Sequence, residues 1–585
     1  MNLTAEQTAI VASSGNIKIN AVAGSGKTTT VIEYARSRPA TARILYLAFN
    51  RTVKLEAVKR FAARGLHNVR VETAHSLAYQ YVVRGSAYKV RATAYKPFEL
   101  VELLGLKSGG EAHGEYVLAS HIAKFLAYFC NSATARVQQL DYRDTVWDPK
   151  ALAFVNRHYA AIENGCRRML QRMDSNQIEI THDFYLKKFQ LAGPQLPFEY
   201  ILFDEAQDAS GSMLDLFLKQ AATKVMVGDT HQQIYGWRHA VNSLDKADFA
   251  AFPLTTSFRF ADPIAGLANG VLDWKAVLGP HAPAGLSGHG TSTATATKAV
   301  IGRSNLGLLV KAIEYITGPA AIQRLYFEGN INSYTYADSG ASLYDVLNLY
   351  NGRSEGIRDP LIKKMANLAE LEEYAKTTED GSLLMLVTLV EDYGNQVTEL
   401  IKELKRRHVA DGERDRAQVF FSTVHRCKGL EYDEVQLVSD FVTRDLVTKW
   451  AEEAERTPPA AGEVAKHNEE INLLYVALTR AKYRLHYPEA CRPVNSPASE
   501  QVLCYVGRGG TGLVAPPPPV SPAPAPGPMP KREGLPWSEA DDLRLTELFC
   551  AGEGTGLIAD KLQRRFEAVL VRVEELDLED KYGAW

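Results

Sequence analysis

The stretch AVAGSGKTTT, Ala21 to Thr30, follows the alternating run NIKINAV, which reads as a short strand. Glycines at 24 and 26 allow a tight loop whose amides, with the N-terminus of the next helix, cradle phosphate oxygens. Lys27 is placed for the β- and γ-phosphates and the Thr28 hydroxyl for Mg²⁺. The pattern is A-x-x-G-x-G-K-T, with Ala21 where a glycine usually stands. Ala23, Gly24, Ser25, Gly26, Lys27, Thr28 and Thr29 are thus candidate nucleotide contacts. A plain glycine-rich turn leaves the lysine unexplained. The second stretch, YILFDEAQDAS, ends an apolar run in Asp204 and Glu205. A carboxylate there holds Mg²⁺, and its neighbour orients and deprotonates an attacking water.

Such residues need a sheet edge to converge on. ARILYLAFN (42–50), FEYILFDEA (198–206), TKVMVGD (223–229), AQVFFSTV (417–424) and DEVQLVSD (433–440) are continuous apolar runs separated by helical patterns. They predict parallel sheets covered on both faces, whose C-terminal edges bind ligands. Helical periodicity dominates 95–190 and 360–408, as insertions between the strands of two α/β cores. The chain of 585 residues exceeds one core. Its 46% hydrophobic and 23% charged residues suit a globular protein. Net charge is −3, so any nucleic-acid contact must come from a local groove. Six scattered cysteines form no C-x-x-C and argue against a disulfide framework or a zinc site. The N-terminus lacks signal-peptide character, and no run of ~20 apolar residues marks a membrane span.

The motifs carry a resemblance. DEAQD with VGDTHQQIYGWR (227–238) resembles motifs II and III of superfamily 1A DNA helicases of the UvrD/Rep/PcrA type. LTAEQ (3–7), YLAFNRTV (46–53), TAHSLAY (73–79), TTSFRF (255–260), STVHRCKGLEYDEV (422–435) and NLLYVALTRAK (472–482) resemble the Q motif and motifs Ia, Ib, IV, V and VI, in that order. The wording of several motifs is most similar to the F-box DNA helicases. No F-box precedes the Q motif, so a ubiquitin-ligase coupling is not carried over. The resemblance implies an α/β fold of two RecA-like motor domains with helical insertions, using ATP and Mg²⁺. It places core 1A at 1–83 and 186–260, insertion 1B at 84–185, core 2A at 261–304 and 416–510, and insertion 2B at 305–415.

The same resemblance implies that Gln7 reads the adenine edge and Phe258 stacks on it. Arg259 and Arg480 meet the γ-phosphate, Gln232 couples it to DNA, and Glu431 contacts the sugar. Thr29 stands where many relatives carry an arginine beside the base. A motor on single-stranded DNA needs flat faces for bases and donors for phosphates. Phe49, Tyr235 and Trp237 supply the faces, and Asn50, Arg51, Thr73, His75, Arg238 and His425 the polar groups. The implied activity is ATP-dependent helicase or translocase action of 3′→5′ polarity. The alternative is a nucleotide-gated DNA-binding scaffold that recruits partners without unwinding.

The proline-rich run APPPPVSPAPAPGPMP predicts a semi-rigid linker, 511–534, before a small all-α tail, 535–585. Trp537, Leu543, Leu548, Ile558, Leu562, Val569, Val573 and Leu576 are its candidate core, and it resembles Myb-like and helix-turn-helix modules. Lys561, Arg564, Arg565 and Arg572 suit a DNA-facing helix. Residues 531–585 nevertheless hold eight Lys/Arg against thirteen Asp/Glu, which favours a protein partner over phosphates. The missing F-box and the absence of a basic localisation cluster favour a cytoplasmic protein, prokaryotic before nuclear.

Overall fold

The computed structural model describes residues 3–107, 109–318, 321–337, 340–494, 499–506, 537–550, 555–564, 568–569 and 572–573. Two parallel sheets organise it. The first contains β1 (Ile17–Ala21), β2 (Ile44–Ala48), β3 (Val69–Thr73), β4 (Tyr200–Phe203), β5 (Thr223–Gly228) and β6 (Ala250–Leu254), in the order β3-β2-β4-β5-β1-β6. A small pair, β7 (Thr256–Ser257) and β8 (Ser287–Gly288), follows. The second sheet contains β9 (Lys298–Gly302), β10 (Leu325–Phe327), β11 (Val419–Thr423), β12 (Tyr432–Leu437), β13 (Ala481–Pro488) and β14 (Val502–Tyr505), ordered β10-β11-β9-β12-β13-β14. These are two RecA-like cores in one chain.

The central strands are buried along their whole length, as in ILYLA of β2 and YDEVQL of β12. Helices cover both faces of each sheet, which is why their sequences do not alternate. Between β3 and β4 the chain forms helices Pro97–Leu104, Gly114–Asn131, Pro149–Asp174 and His182–Ala192. The longest starts with Asp148 accepting from the Lys150 and Ala151 amides and with a proline in the first turn, where its missing N–H costs nothing. Between β10 and β11 lie Leu368–Thr377, Gly381–Tyr393 and Gln396–Arg407.

One boundary needs correction. Helix Asn305–Thr317 and strand β10 fall inside the expected insertion 305–415, yet β10 pairs with β11 and the helix buries Leu308, Leu309, Ala312 and Ile313 in one cluster with Val300 and Phe421. Both belong to the second core. In the segment 285–298, β8 pairs with β7, and the Gly290 amide donates to the Phe260 carbonyl at 2.8 Å, clamping the SFRF stretch.

In the tail, Leu545, Leu548, Ile558, Ala559, Leu562, Val569 and Val573 cluster with Trp537 packed against them. Arg564 is buried, pairs with Asp541 at 3.1 Å and lies 4.3 Å from the Trp537 ring centre. Arg572 pairs with Asp542 at 2.6 Å. These two arginines are engaged by the tail's own acids, so they do not form the DNA-facing surface expected of them. The Leu543 side chain, Arg565, Leu576 and the linker 511–534 lie outside the described residues. Among the described residues no helix is long and apolar enough to cross a membrane.

Candidate functional site

The first sheet sends its chemistry to one edge. Gly24 and Gly26 follow β1 with φ of 75° and 81°, a left-handed backbone that favours glycine. A Cβ on Gly24 would lie 2.6 Å from Ser257 Oγ and 2.7 Å from Arg259 Cβ. The loop is therefore pressed against the SFRF stretch. Gly26 caps helix Lys27–Arg36, which buries Thr30, Val31, Ile32, Tyr34 and Ala35 beneath it. Thr28 and Thr29 lie half-buried in its first turn. Ser25 is buried, and its Oγ has no hydrogen-bond partner. An orphaned hydroxyl inside a ring of backbone amides is what a phosphate oxygen satisfies. The loop therefore fits a nucleotide.

Beyond β4, Glu205 takes a left-handed backbone with φ 49°, turning its carboxylate toward the loop. Lys27 Nζ lies 3.7 Å from Glu205 Oε1. Gln207 Nε2 donates to Glu205 Oε2 at 2.5 Å. Burial alone would raise the Glu205 pKa, but the charges of Lys27 and Lys428 and the Gln207 bond hold it down, at about 2. Asp204 behaves oppositely. Burial, then the Glu205 charge, pushes it up to about 6, although the Tyr46 hydroxyl donates to its Oδ2. The adjacent acids are thus differentiated: Glu205 is ionised beside Lys27, and Asp204 is a buried carboxylate whose charge a cation would favour.

The arginines come from both cores. Arg259 Nε donates to Glu431 Oε2 at 2.9 Å and its Nη1 to the Thr479 carbonyl at 2.9 Å, bridging the cleft. Arg480 is fully buried. It donates to the carbonyls of Val476 at 2.9 Å and Leu430 at 3.3 Å and to Thr479 Oγ1 at 3.2 Å. Desolvation, then repulsion from Arg259, lowers its pKa to about 10. Phe258 is 50% exposed beside Arg259. Gln7 is buried, its Oε1 accepting from the Thr4 amide at 3.0 Å, with its Nε2 near the space above Gly26.

The loop after β5 connects this site to an aromatic cluster. Asp229 is buried, and burial raises its pKa. It accepts from Gln232 Nε2 at 2.8 Å. Three residues on, Tyr235 stacks on Phe49 with centroids 5.6 Å apart and packs on His425 at 5.7 Å. Trp237 stands edge-on to both Tyr235 and His425, is 60% exposed, and carries Arg238 4.6 Å from its ring centre. Phe49, Tyr235, Trp237, Arg238 and His425 thus converge. His425, lowered to about 4 mainly by burial, is neutral and donates through Nε2 to the Ile234 carbonyl at 3.0 Å.

The remaining strand-path candidates sit at two helix starts. Asn50 and Thr73 are helix N-caps, accepting from the Val53 and Ser76 amides. Arg51 is exposed in the first turn after Asn50. His75 sits 3.8 Å from Asp183, edge-on to the rings of His182 and Tyr185. Sequence reasoning missed Lys428, whose ammonium donates to Asp208 and, at 2.7 Å, to the Gln232 carbonyl. It also missed Tyr475, which lies hidden in an apolar run. The usable signal for Lys428 was a lysine inside HRCKG, a stretch already assigned to the site.

Tandem RecA-like cores meeting at a glycine loop define a two-core P-loop NTPase. The chain belongs to the UvrD/Rep family of DNA helicases: the model for the UvrD/REP helicase N-terminal domain matches residues 3–245, and that for the UvrD-like helicase C-terminal domain matches 310–487. It is 28% identical to F-box DNA helicase 1 of Gallus gallus, over 83% of this chain and 48% of that protein. It is also 28% identical to F-box DNA helicase protein 1 of Schizosaccharomyces pombe, over 83% and 57%. A protein described as a probable DNA helicase of Mycoplasma pneumoniae is 24% identical, over 46% and 56%. The chain thus spans about half the length of the curated relatives it matches. Two of the three are eukaryotic, and the expectation of a prokaryotic source draws no support from them.

Proposed function

We propose that the chain is an ATP-driven motor that moves along single-stranded DNA with 3′→5′ polarity and separates duplexes, in DNA repair, recombination control or a related DNA-processing task. The observation that carries this reading is the single loop after β5, in which Asp229 is joined to the phosphate loop through the Tyr475 hydroxyl while Tyr235 and Trp237 join the aromatic cluster.

Lys27 and the amides of Gly24 to Thr28 hold the phosphates, with Ser25 Oγ completing the cradle. Thr28 and Asp204 would hold Mg²⁺, which supplies charge neutralisation on the phosphate oxygens. Glu205, held beside Lys27, orients the attacking water and accepts its proton. Arg259 and Arg480 stabilise charge on the transferring γ-phosphoryl group as the cleft closes. Phe258 and Gln7 receive the base, and Glu431 the sugar. Phe49, Tyr235 and Trp237 stack on bases, while Arg51, Arg238, Asn50, Thr73, His75 and His425 line the strand's path. We assign the acidic tail to a protein partner, since Asp541 and Asp542 engage two of its arginines.

The test is ATP hydrolysis with and without single-stranded DNA, for the unaltered chain and for Lys27→Ala and Glu205→Gln, together with displacement of 3′-tailed and 5′-tailed duplexes. DNA-stimulated hydrolysis lost in both variants, with 3′-tailed duplexes preferred, is expected. Hydrolysis indifferent to DNA removes the motor reading, and nucleotide-gated binding without strand displacement replaces it with a scaffold.

A further inference from the structure

Helix Ala461–Leu478 of the second core lies along the loop after β5 of the first. Glu469, Asn472 and Tyr475 are spaced three apart, so they form a slowly drifting stripe on one face. Each meets a different point of that loop. Glu469 Oε1 accepts from the Gly236 amide at 3.0 Å. Asn472 Nδ2 donates to the Gln233 carbonyl at 2.9 Å. The Tyr475 hydroxyl donates to Asp229 Oδ2 at 3.2 Å. Helix and loop run in opposite directions, and the contacts join them like a zipper.

Two details give the zipper direction. The Tyr475 hydroxyl also accepts from the Ala23 amide of the phosphate loop at 3.3 Å, so one buried group touches both that loop and Asp229. Asp229 in turn holds the Gln232 amide. At the middle position, Lys275 Nζ donates to Asn472 Oδ1 at 2.5 Å and to His231 Nδ1 at 3.0 Å, tying helix and loop together a second time. At the far end the backbone of Gly236 comes so close that an added Cβ would sit 2.3 Å from Glu469 Oε2. The same helix leads, five residues past Tyr475, into Arg480.

We propose that Glu469, Asn472 and Tyr475 are positioning residues that transmit the state of the nucleotide loop to Tyr235 and Trp237, with Tyr475 as the element that senses it. Any displacement of the Ala23 amide by a bound phosphate alters the hydrogen bonding of Tyr475. The stripe then shifts the loop between Asp229 and Gly236 as a unit, and with it the aromatic groove. The inference rests on the ATP-driven reading given above.

The experiment measures affinity for a fluorescent oligo(dT) strand alone, with AMP-PNP and with ADP. Tyr475→Phe removes only the hydroxyl and keeps the buried ring. Asn472→Ala removes the middle contact and serves as an independent variant, with both folds checked by thermal melting. For the unaltered chain the two nucleotides give different DNA affinities. In each variant that ratio shrinks by about fivefold or more, while a purely structural role would weaken DNA binding equally in both nucleotide states. An unaltered chain that distinguishes the nucleotides, with variants that distinguish them equally well, overturns the zipper alone. An unaltered chain whose DNA affinity ignores the nucleotide overturns the motor reading and the zipper with it.

Discussion

Lys428 of the second core donates to the Asp208 carboxylate of the first, and the same ammonium reaches the Gln232 carbonyl at 2.7 Å. The pair is buried on both sides, so neither charge is solvated by water. Burial raises Asp208 to about 6, with the Lys428 charge opposing. Lys428→Ala leaves that carboxylate unpaired and should destabilise the protein by about 3 kcal/mol. Adding Asp208→Asn should recover part of the loss, which a double-mutant cycle in urea measures. The folded-state pKa lies above the unfolded one, so this group favours folding at acid pH and loses that contribution as pH rises through about 6. Without the lysine the deficit should be larger at about pH 8 than at about pH 5.

Gly24→Ala tests the phosphate loop. The substitution meets a backbone φ of 75° and a Cβ position 2.7 Å from Arg259 Cβ. Left-handed strain costs on the order of 1 kcal/mol, and the clash moves the SFRF stretch away from the loop. ATP affinity by titration calorimetry should fall at least about tenfold, with DNA affinity in the absence of nucleotide unchanged. Nucleotide binding at full strength would place the site elsewhere.

What was legible in the sequence follows burial. The strands β2, β4, β5, β11 and β12 show as apolar runs because their cores cover both faces. Strand β6, AAFPL, is an exposed edge with a proline, and β10 is only LYF, so neither rises above its surroundings. The glycine loop and the paired acids were legible because their chemistry is local. Lys428 and Asp208 are 220 positions apart, so nothing near either residue announces the pair. Tyr475 sits inside INLLYVAL, where a buried hydroxyl with two partners is indistinguishable by pattern from a core residue.

Trp237→Ala separates strand binding from folding. The ring is 60% exposed and stands edge-on to its neighbours, so its loss should leave the melting temperature unchanged. A base stacked on an aromatic contributes about 1–3 kcal/mol, so affinity for single-stranded DNA should drop on the order of 5- to 150-fold. Tyr235→Ala, by contrast, removes contacts to Phe49 and His425 and the hydroxyl bond to the His425 carbonyl at 3.1 Å. It should lower both stability and DNA affinity, and fluorescence anisotropy beside thermal melts distinguishes the two patterns.

Glu72, at the end of β3, anchors the stretch that carries Thr73 and His75. It accepts from Lys54 Nζ at 2.7 Å, Arg70 Nη2 at 2.9 Å and Ser76 Oγ at 2.5 Å. Burial works to raise its pKa, but these donors outweigh it and lower the value from 4.5 to about 2. A folded-state value below the unfolded one contributes stability above the unfolded pKa, and that contribution is lost as pH falls from about 4.5 toward 2. Glu72→Gln should therefore cost on the order of 2 kcal/mol at neutral pH, a figure reduced for the solvent screening around Arg70. The gap between the two proteins in urea midpoint should narrow between about pH 6 and about pH 3. A gap that stays constant across that window assigns the stabilisation to packing around the side chain and not to its charge.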